Sequence, residues 1–278
     1  MAATQVTVIS ASERPGQILQ SLRELWASRE LLYALTMREV RVRYKQSLLG
    51  VAWAIIQPIS LMVVFTVFFS WFAKMPSEGI PYPIFAFSAL LPWTFFATSL
   101  SYAVPGLANN PQLITKVYFP REIFPLASVL AAGLDFLIAC AVFAVMMVAY
   151  RMSVGLNVLY VVPLLAIQVL FTVAIAFILA GLNVYYRDVR HALPLVIQLW
   201  MYATPIVYPL SVVPEPYRLT YTLFNPMAAI IDGYRRVLVR GLPPEFVSFA
   251  LAALTSVLLV LISYRAFKYM ERSFADVV

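Results

Sequence analysis

Six long apolar stretches, separated by short polar segments, dominate the chain of 278 residues. They run at about 48–72, 82–107, 123–150, 158–184, 193–210 and 246–267. A helix needs roughly 20 apolar residues to cross a bilayer, so each stretch predicts a span. Proline interrupts the second stretch (Pro92, Pro105) and the fifth (Pro194, Pro205, Pro209). Neighbouring helices can satisfy the carbonyls that proline frees. The fold class predicted is all-α and membrane-integral, with six transmembrane helices.

Two segments do not fit the spanning pattern. Residues 211–241, SVVPEPYRLTYTLFNPMAAIIDGYRRVLVRG, are too polar to span and too apolar for a free loop. Asn225–Pro226 reads as a cap and first turn. Met227, Ile230, Ile231, Tyr234 and Leu238 then recur at helical spacing, with Asp232, Arg235, Arg236 and Arg240 on the other side. Residues 216–224 predict a shorter helix before the break. Two half-helices dipping into the membrane and an amphipathic surface helix both match this pattern.

The other segment is the basic stretch ahead of the first span. Tyr33, Met37, Val40 and Tyr44 fall within about 60° of one another on a helical wheel. Arg41 and Arg43 flank that stripe, Arg38 and Lys45 lie further round, and Glu39 can pair with Arg43 at i,i+4. Such a helix suits the cytoplasmic interface, with aromatics at headgroup depth and cations reaching phosphates. A basic flank that only orients the first span explains the charge but not the stripe.

Composition sharpens this picture. The chain is 62% hydrophobic and only 12% charged, against about 25% charged in soluble domains. Water is not its main solvent, and a net charge of +7 reflects loops facing anionic lipid rather than nucleic acid. The sides holding the termini and the second and fourth inter-span loops carry fourteen cations against six opposite, which predicts both termini in the cytoplasm. Four of the six opposite cations lie in 211–241, an excess that calls for its own explanation. Polar groups interrupt the first thirty residues, unlike a secretory signal peptide. Residues 1–47 read as a cytoplasmic segment with the interface helix, and 48–278 as the membrane domain.

Candidate chemistry is sparse. Cys140 is the single cysteine and His191 the single histidine, so no metal site, disulfide or histidine catalysis is expected. There is no GxxxxGK[ST], so no intrinsic nucleotide hydrolysis and no cofactor is expected on this chain. Asp135 is the one carboxylate well inside an expected span, where an ionisable group is costly. No cation in mid-membrane offers itself as a partner, and Gln168, Asn183 or Gln198 could bond to it. The cytoplasmic loop 108–122 holds Asn109, Asn110, Gln112, Lys116, Tyr118, Arg121 and Glu122. Asn109, Asn110 and Pro111 start a short helix that Pro120 ends, which suits either a docking knob for a soluble partner or a simple interfacial loop.

Four stretches carry a resemblance: RVRYKQSLLGVAWAIIQP (41–58), LITKVYFPREIFPL (113–126), NVYYRDVRH (183–191) and LFNPMAAIIDGYRRVL (223–238). Together the chain resembles the permease subunits of type-2 ABC exporters, in the O-antigen and wall teichoic acid subgroup. The resemblance implies a permease homodimer bound to two P-loop ATPase subunits, exporting a lipid-linked polysaccharide from the inner membrane of a bacterium. It implies that 109–121 is the coupling helix and that 211–241 forms outward gate helices, with Tyr217, Tyr221, Phe224, Asn225 and Tyr234 as gate residues. A channel walled by the first and fifth spans makes Phe65, Phe68, Phe69, Phe72, Trp200, Tyr202 and Tyr208 candidate wall residues. Arg38, Arg41, Arg43 and Lys45 become candidate contacts for a lipid-pyrophosphate headgroup, because arginine suits bidentate phosphate binding.

Two other classes remain open. Capsule or teichoic acid export is a variant within the superfamily. A proton-coupled secondary transporter would use Asp135 and need no ATPase, though no inverted repeat is apparent. A membrane transferase would have only Glu122, Asp188 and His191, which form no recognisable constellation.

Overall fold

The computed structural model describes residues 23–45, 49–116, 119–153 and 155–277. Among these residues the chain is helical and has no strand. Helix α1, Arg29–Tyr44, precedes α2, Trp53–Phe65, which a π-helical segment continues through Thr66–Phe72. α3 is Tyr82–Gly106, α4 the short Pro111–Lys116, and α5 Ile123–Ala149. A 3-10 turn, Leu156–Tyr160, leads into α6, Val161–Tyr185, and α7 is Asp188–Ala203. α8, Glu215–Phe224, meets α9, Pro226–Tyr234, which continues as a π-helical turn over Arg235–Val239. α10, Phe246–Glu271, and α11, Phe274–Val277, close the chain.

Five helical stretches among the described residues are long and apolar enough to cross a membrane: Trp53–Phe72, Tyr82–Gly106, Ile123–Ala149, Leu156–Tyr185 and Phe246–Glu271. The fifth expected span is displaced. In place of 193–210, the helix α7 covers Asp188–Ala203, which at 1.5 Å per residue is about 24 Å long against a hydrocarbon core of about 30 Å. It stops because Pro205 and Pro209 supply no N–H, and Thr204 turns extended with φ −108° and ψ 144°.

α3 is the centre of the molecule. Its side chains from Ile84 to Leu91 are buried almost without exception, and α5, α6, α7 and α9 pack around it. Pro83 sits in its first turn, where a missing N–H costs nothing. α10 lies along α6, where Gly181 permits close approach: a Cβ there would collide with the Met270 side chain. Glu245 caps α10, accepting from Val247 N–H at 3.2 Å and Ser248 N–H at 2.7 Å. Burial opposes the charge on Glu245, but these bonds outweigh it and hold the carboxyl below the ordinary value.

The cap expected from Asn225 takes another form. Pro226 does open α9, yet the Asn225 side chain makes no cap bond. Instead it accepts from Trp200 Nε1 at 3.0 Å and donates to Thr204 Oγ1 at 3.0 Å. It thereby joins the α8–α9 break to the end of α7.

Candidate functional site

α1 packs mainly on α5. Its buried face is Leu35 and Thr36, with Leu32, Glu39 and Arg43 on the same side. That face is turned by roughly 120° from the Tyr33–Met37–Val40–Tyr44 stripe. Tyr33 stays 67% exposed, Met37 and Val40 are half-buried, and Tyr44 bends inward.

The inward pull comes from Asp135. Arg43 Nη1 lies 2.8 Å from Asp135 Oδ2, and the Arg43 side chain is 5% exposed. Its Nη2 points at Ser128 O, 3.4 Å away, and its guanidinium carbon sits 3.8 Å from the centroid of the Tyr102 ring. Tyr44 donates its hydroxyl to Asp135 Oδ1. Burial first, and then this bond, raise the Tyr44 phenol above its ordinary range, so it remains a donor. The carboxylate expected to lack a cation thus has Arg43, and Glu39 is not Arg43's partner. Gln168 is committed to Pro92 O at 2.8 Å and to the Tyr234 hydroxyl at 2.9 Å. Asn183 donates to Val104 O at 3.1 Å, and Gln198 is exposed.

The other cations of the basic stretch are arranged differently. Arg38 Nη2 donates to Asn110 Oδ1 at 2.7 Å, and Asn110 Nδ2 donates to Gly106 O at 2.7 Å. α1 is therefore joined to the loop that opens α4. Arg41 and Lys45 are exposed.

The 108–122 loop divides in two. Asn109 and Gln112 are exposed, Lys116 ends α4, and Tyr118 lies outside the described residues. Arg121 and Glu122 are fastened to the end of α10. Arg121 Nη1 donates to Glu271 O at 2.7 Å, and its backbone N–H donates to Glu271 Oε1 at 3.2 Å. Glu122 is fully buried. It holds Lys268 Nζ at 2.7 Å and the Tyr264 hydroxyl at 3.2 Å, and Lys268 also reaches Glu271 at 2.9 Å. Glu122 thus faces its own chain rather than a partner.

On the opposite half, Phe65, Phe68, Phe69, Phe72 and Tyr202 line one cleft of about 570 Å³. The wide turns of the π-helical segment, where Ala73 N–H reaches back to Phe68 O at 2.9 Å, bring four phenyl rings to it; such segments are rare and cluster at functional positions. Trp200 does not join that cleft. It packs edge-on against Phe96 and Phe171, with centroids at 5.1 and 6.0 Å. The Tyr208 hydroxyl lies 3.3 Å from Tyr202 O and 3.4 Å from the Tyr221 hydroxyl.

Tyr217 and Phe224 are exposed, at 67% and 83%. Tyr221 donates to Ala203 O, while Tyr234 is fully buried, hydrogen-bonded to Gln168. The excess cations of 211–241 are occupied. Arg240 pairs with Glu78, Arg236 Nε donates to Pro243 O at 3.0 Å, and Arg218 Nε donates to Val213 O at 2.8 Å. Arg235, expected on the polar side of its helix, is instead 2% exposed. Its guanidinium binds the carbonyls of Pro205, Ile206 and Tyr208 and lies 3.7 Å from the Phe85 ring centroid. The cation excess was the signal that could have found it.

A membrane protein with this helix order also matches a known family model, that of the ABC-2 type transporter, over residues 30–239. The chain belongs to the ABC-2 type transporter family. It is similar to an O-antigen export system permease protein RfbA of Myxococcus xanthus, 31% identical over 93% of this chain and 99% of that protein. An O-antigen export system permease protein RfbA of Klebsiella pneumoniae is 32% identical over 90% of this chain and 95% of that protein. A polysialic acid transport protein KpsM of Escherichia coli is 23% identical over 86% and 93%. The ABC-2 chain described here is a multi-pass protein of the bacterial inner membrane and an exporter permease, a transport subunit rather than a catalytic one.

Proposed function

We propose that this permease works as a homodimer with two copies of a separate P-loop ATPase, and exports a lipid-linked polysaccharide of O-antigen type. The observation that carries this reading is the likeness to O-antigen export permeases over nine tenths of the chain, at 31–32% identity against 23% for the polysialic acid transporter. In it, α7 serves as a sixth span, α8 and α9 form an outward gate, both termini are cytoplasmic, and ATP and Mg²⁺ bind the partner alone.

Energy would enter at α4. Asn109, Asn110 and Gln112 would meet the ATPase, and the Arg38–Asn110 bond supports passage of that motion to α1. Arg41 and Lys45 are exposed on α1 and suit the diphosphate headgroup of the cargo, while Arg43 secures the helix to α5 through Asp135. The Phe65–Phe72 and Tyr202 cleft would offer sugar rings low-friction aromatic faces. The test is deletion of the gene in its own bacterium, followed by complementation. Surface polysaccharide, seen as a ladder on a gel, should vanish and return with the permease. A ladder that persists in the deletion strain would refute the reading.

A further inference from the structure

A second cavity, of about 460 Å³, lies between α1, α2, α3 and α5. Its size is that of small-molecule sites, and its wall is unusually polar for a membrane helix bundle. Trp53 and Gln57 come from α2, Thr98, Ser101 and Tyr102 from α3, and Asp135 from α5. On α3 the three residues span about 100° of arc, so one face of the helix is hydroxylated where it borders the cavity. Polar side chains within membrane-spanning helices face the bundle interior or a water-filled cavity, and there they mark substrate pathways.

The bonding capacity of this wall is not used up. Among the described residues, the Gln57 amide and the Thr98 hydroxyl have no hydrogen-bond partner. Ser101 gives its proton to Ala97 O at 2.8 Å and keeps its acceptor lone pairs. The Asp135 side chain is 21% exposed, and each of its oxygens has capacity beyond the bonds from Arg43 and Tyr44. Trp53 and Tyr102 leave 50% and 41% of their surface open.

The charge decides the class of ligand. Arg43 and Asp135 cancel, so the wall is close to neutral. A phosphate would meet the exposed carboxylate, and an ammonium would meet the guanidinium behind it. A neutral ligand rich in hydroxyls and with flat C–H faces meets neither penalty. It matches a carboxylate, an amide, a row of hydroxyls and two aromatic rings.

The geometry points to a carbohydrate-binding site in this cavity, with Gln57, Asp135 and the α3 hydroxyls bonding sugar hydroxyls and Trp53 or Tyr102 stacking on the ring. That the sugar belongs to the transported cargo rests on the reading given under Proposed function. The site itself rests on the wall.

The test uses the full permease with its ATPase partner in phosphatidylcholine nanodiscs, which contain no sugar. Saturation-transfer NMR is run with glucose, galactose, N-acetylglucosamine, glycerol 3-phosphate and ethanolamine as probes. At least one sugar should receive saturation from wild type, and Gln57→Leu and Thr98→Val should weaken its binding tenfold or more while melting like wild type. Where Gln57→Leu fails to fold, Trp53→Leu at the open mouth replaces it. No sugar signal, an unchanged signal in the variants, or a stronger variant-sensitive signal from glycerol 3-phosphate or ethanolamine overturns the site. Surface polysaccharide in the complemented strain is scored separately. Restored export without sugar binding defeats this inference alone, whereas absent export defeats the functional reading.

Discussion

Arg43 and Asp135, ninety-two residues apart in the chain, meet at 2.8 Å and anchor the interface helix to a membrane helix. The pair is not a surface bridge, since the arginine side chain is 5% exposed and the aspartate 21%. Removing one partner of a buried pair leaves an uncompensated charge, whereas replacing both with apolar groups is often tolerated. Asp135→Asn should therefore destabilise the protein by about 3 kcal/mol, the low end for a buried pair. The double variant Arg43→Met, Asp135→Leu should recover a good part of that. Thermal melts of wild type, Asp135→Asn and the double variant in detergent check this. A stable Asp135→Asn protein that has lost transport would instead revive a proton-carrying role for the carboxylate.

Glu122 and its neighbours predict a separation between folding and docking. Glu122 is fully buried and held by Lys268 and Tyr264, so Glu122→Ala leaves Lys268 with Glu271 alone and should cost about 2 kcal/mol, the scale of a lost hydrogen bond to a charged group. Gln112 is exposed on α4, and Gln112→Ala should leave the melting temperature unchanged. Pull-down of the ATPase should show the reverse order. The folded fraction of Glu122→Ala still captures the partner, while Gln112→Ala, combined with Asn109→Ala, captures it poorly.

How much of this was legible in the sequence depends on range. The apolar runs announced five helices whose ends lie within about five residues of those observed, because hydrophobic length is a local property. The fifth run misled by its own apolar character: 204–210 is hydrophobic, yet Pro205 and Pro209 cannot extend the helix, and the buried arginine that stabilises the break lies thirty residues on. The Arg43–Asp135 pair was equally invisible. A wheel orders side chains by angle within one helix, and only the placement of α5 decides which sector is buried. Trp200 became a wall candidate through the family resemblance alone; its indole N–H needs an acceptor, and Asn225 supplies one.

Arg235 should behave as the pin of the break after α7. One planar guanidinium answers the carbonyls of Pro205, Ile206 and Tyr208, a fork that a lysine ammonium does not reproduce. Arg235→Lys keeps the charge, yet should lower stability by roughly 2–3 kcal/mol, the scale of a lost hydrogen bond to a charged group. Limited proteolysis should then cut within 204–213, where wild type resists. A variant that melts normally and resists protease would show that the loop holds itself.

The last prediction separates cations that look alike in sequence. Arg41, Arg43 and Lys45 fall within five positions, but only Arg41 and Lys45 are exposed, while Arg43 is spent on Asp135. A cation close to an anionic membrane surface contributes about 1 kcal/mol, so losing two weakens binding roughly 30-fold. Arg41→Gln with Lys45→Gln should therefore reduce affinity for a diphosphate lipid probe by that factor at low salt, with a melting temperature near wild type. The difference should shrink as ionic strength rises and the Debye length falls below about 8 Å. Arg43→Gln should do the opposite: melt early, with a probe affinity per folded molecule close to wild type. If Arg43→Gln instead loses the probe and keeps its stability, the guanidinium meets phosphate after all, and the Asp135 contact is not what holds α1 in place.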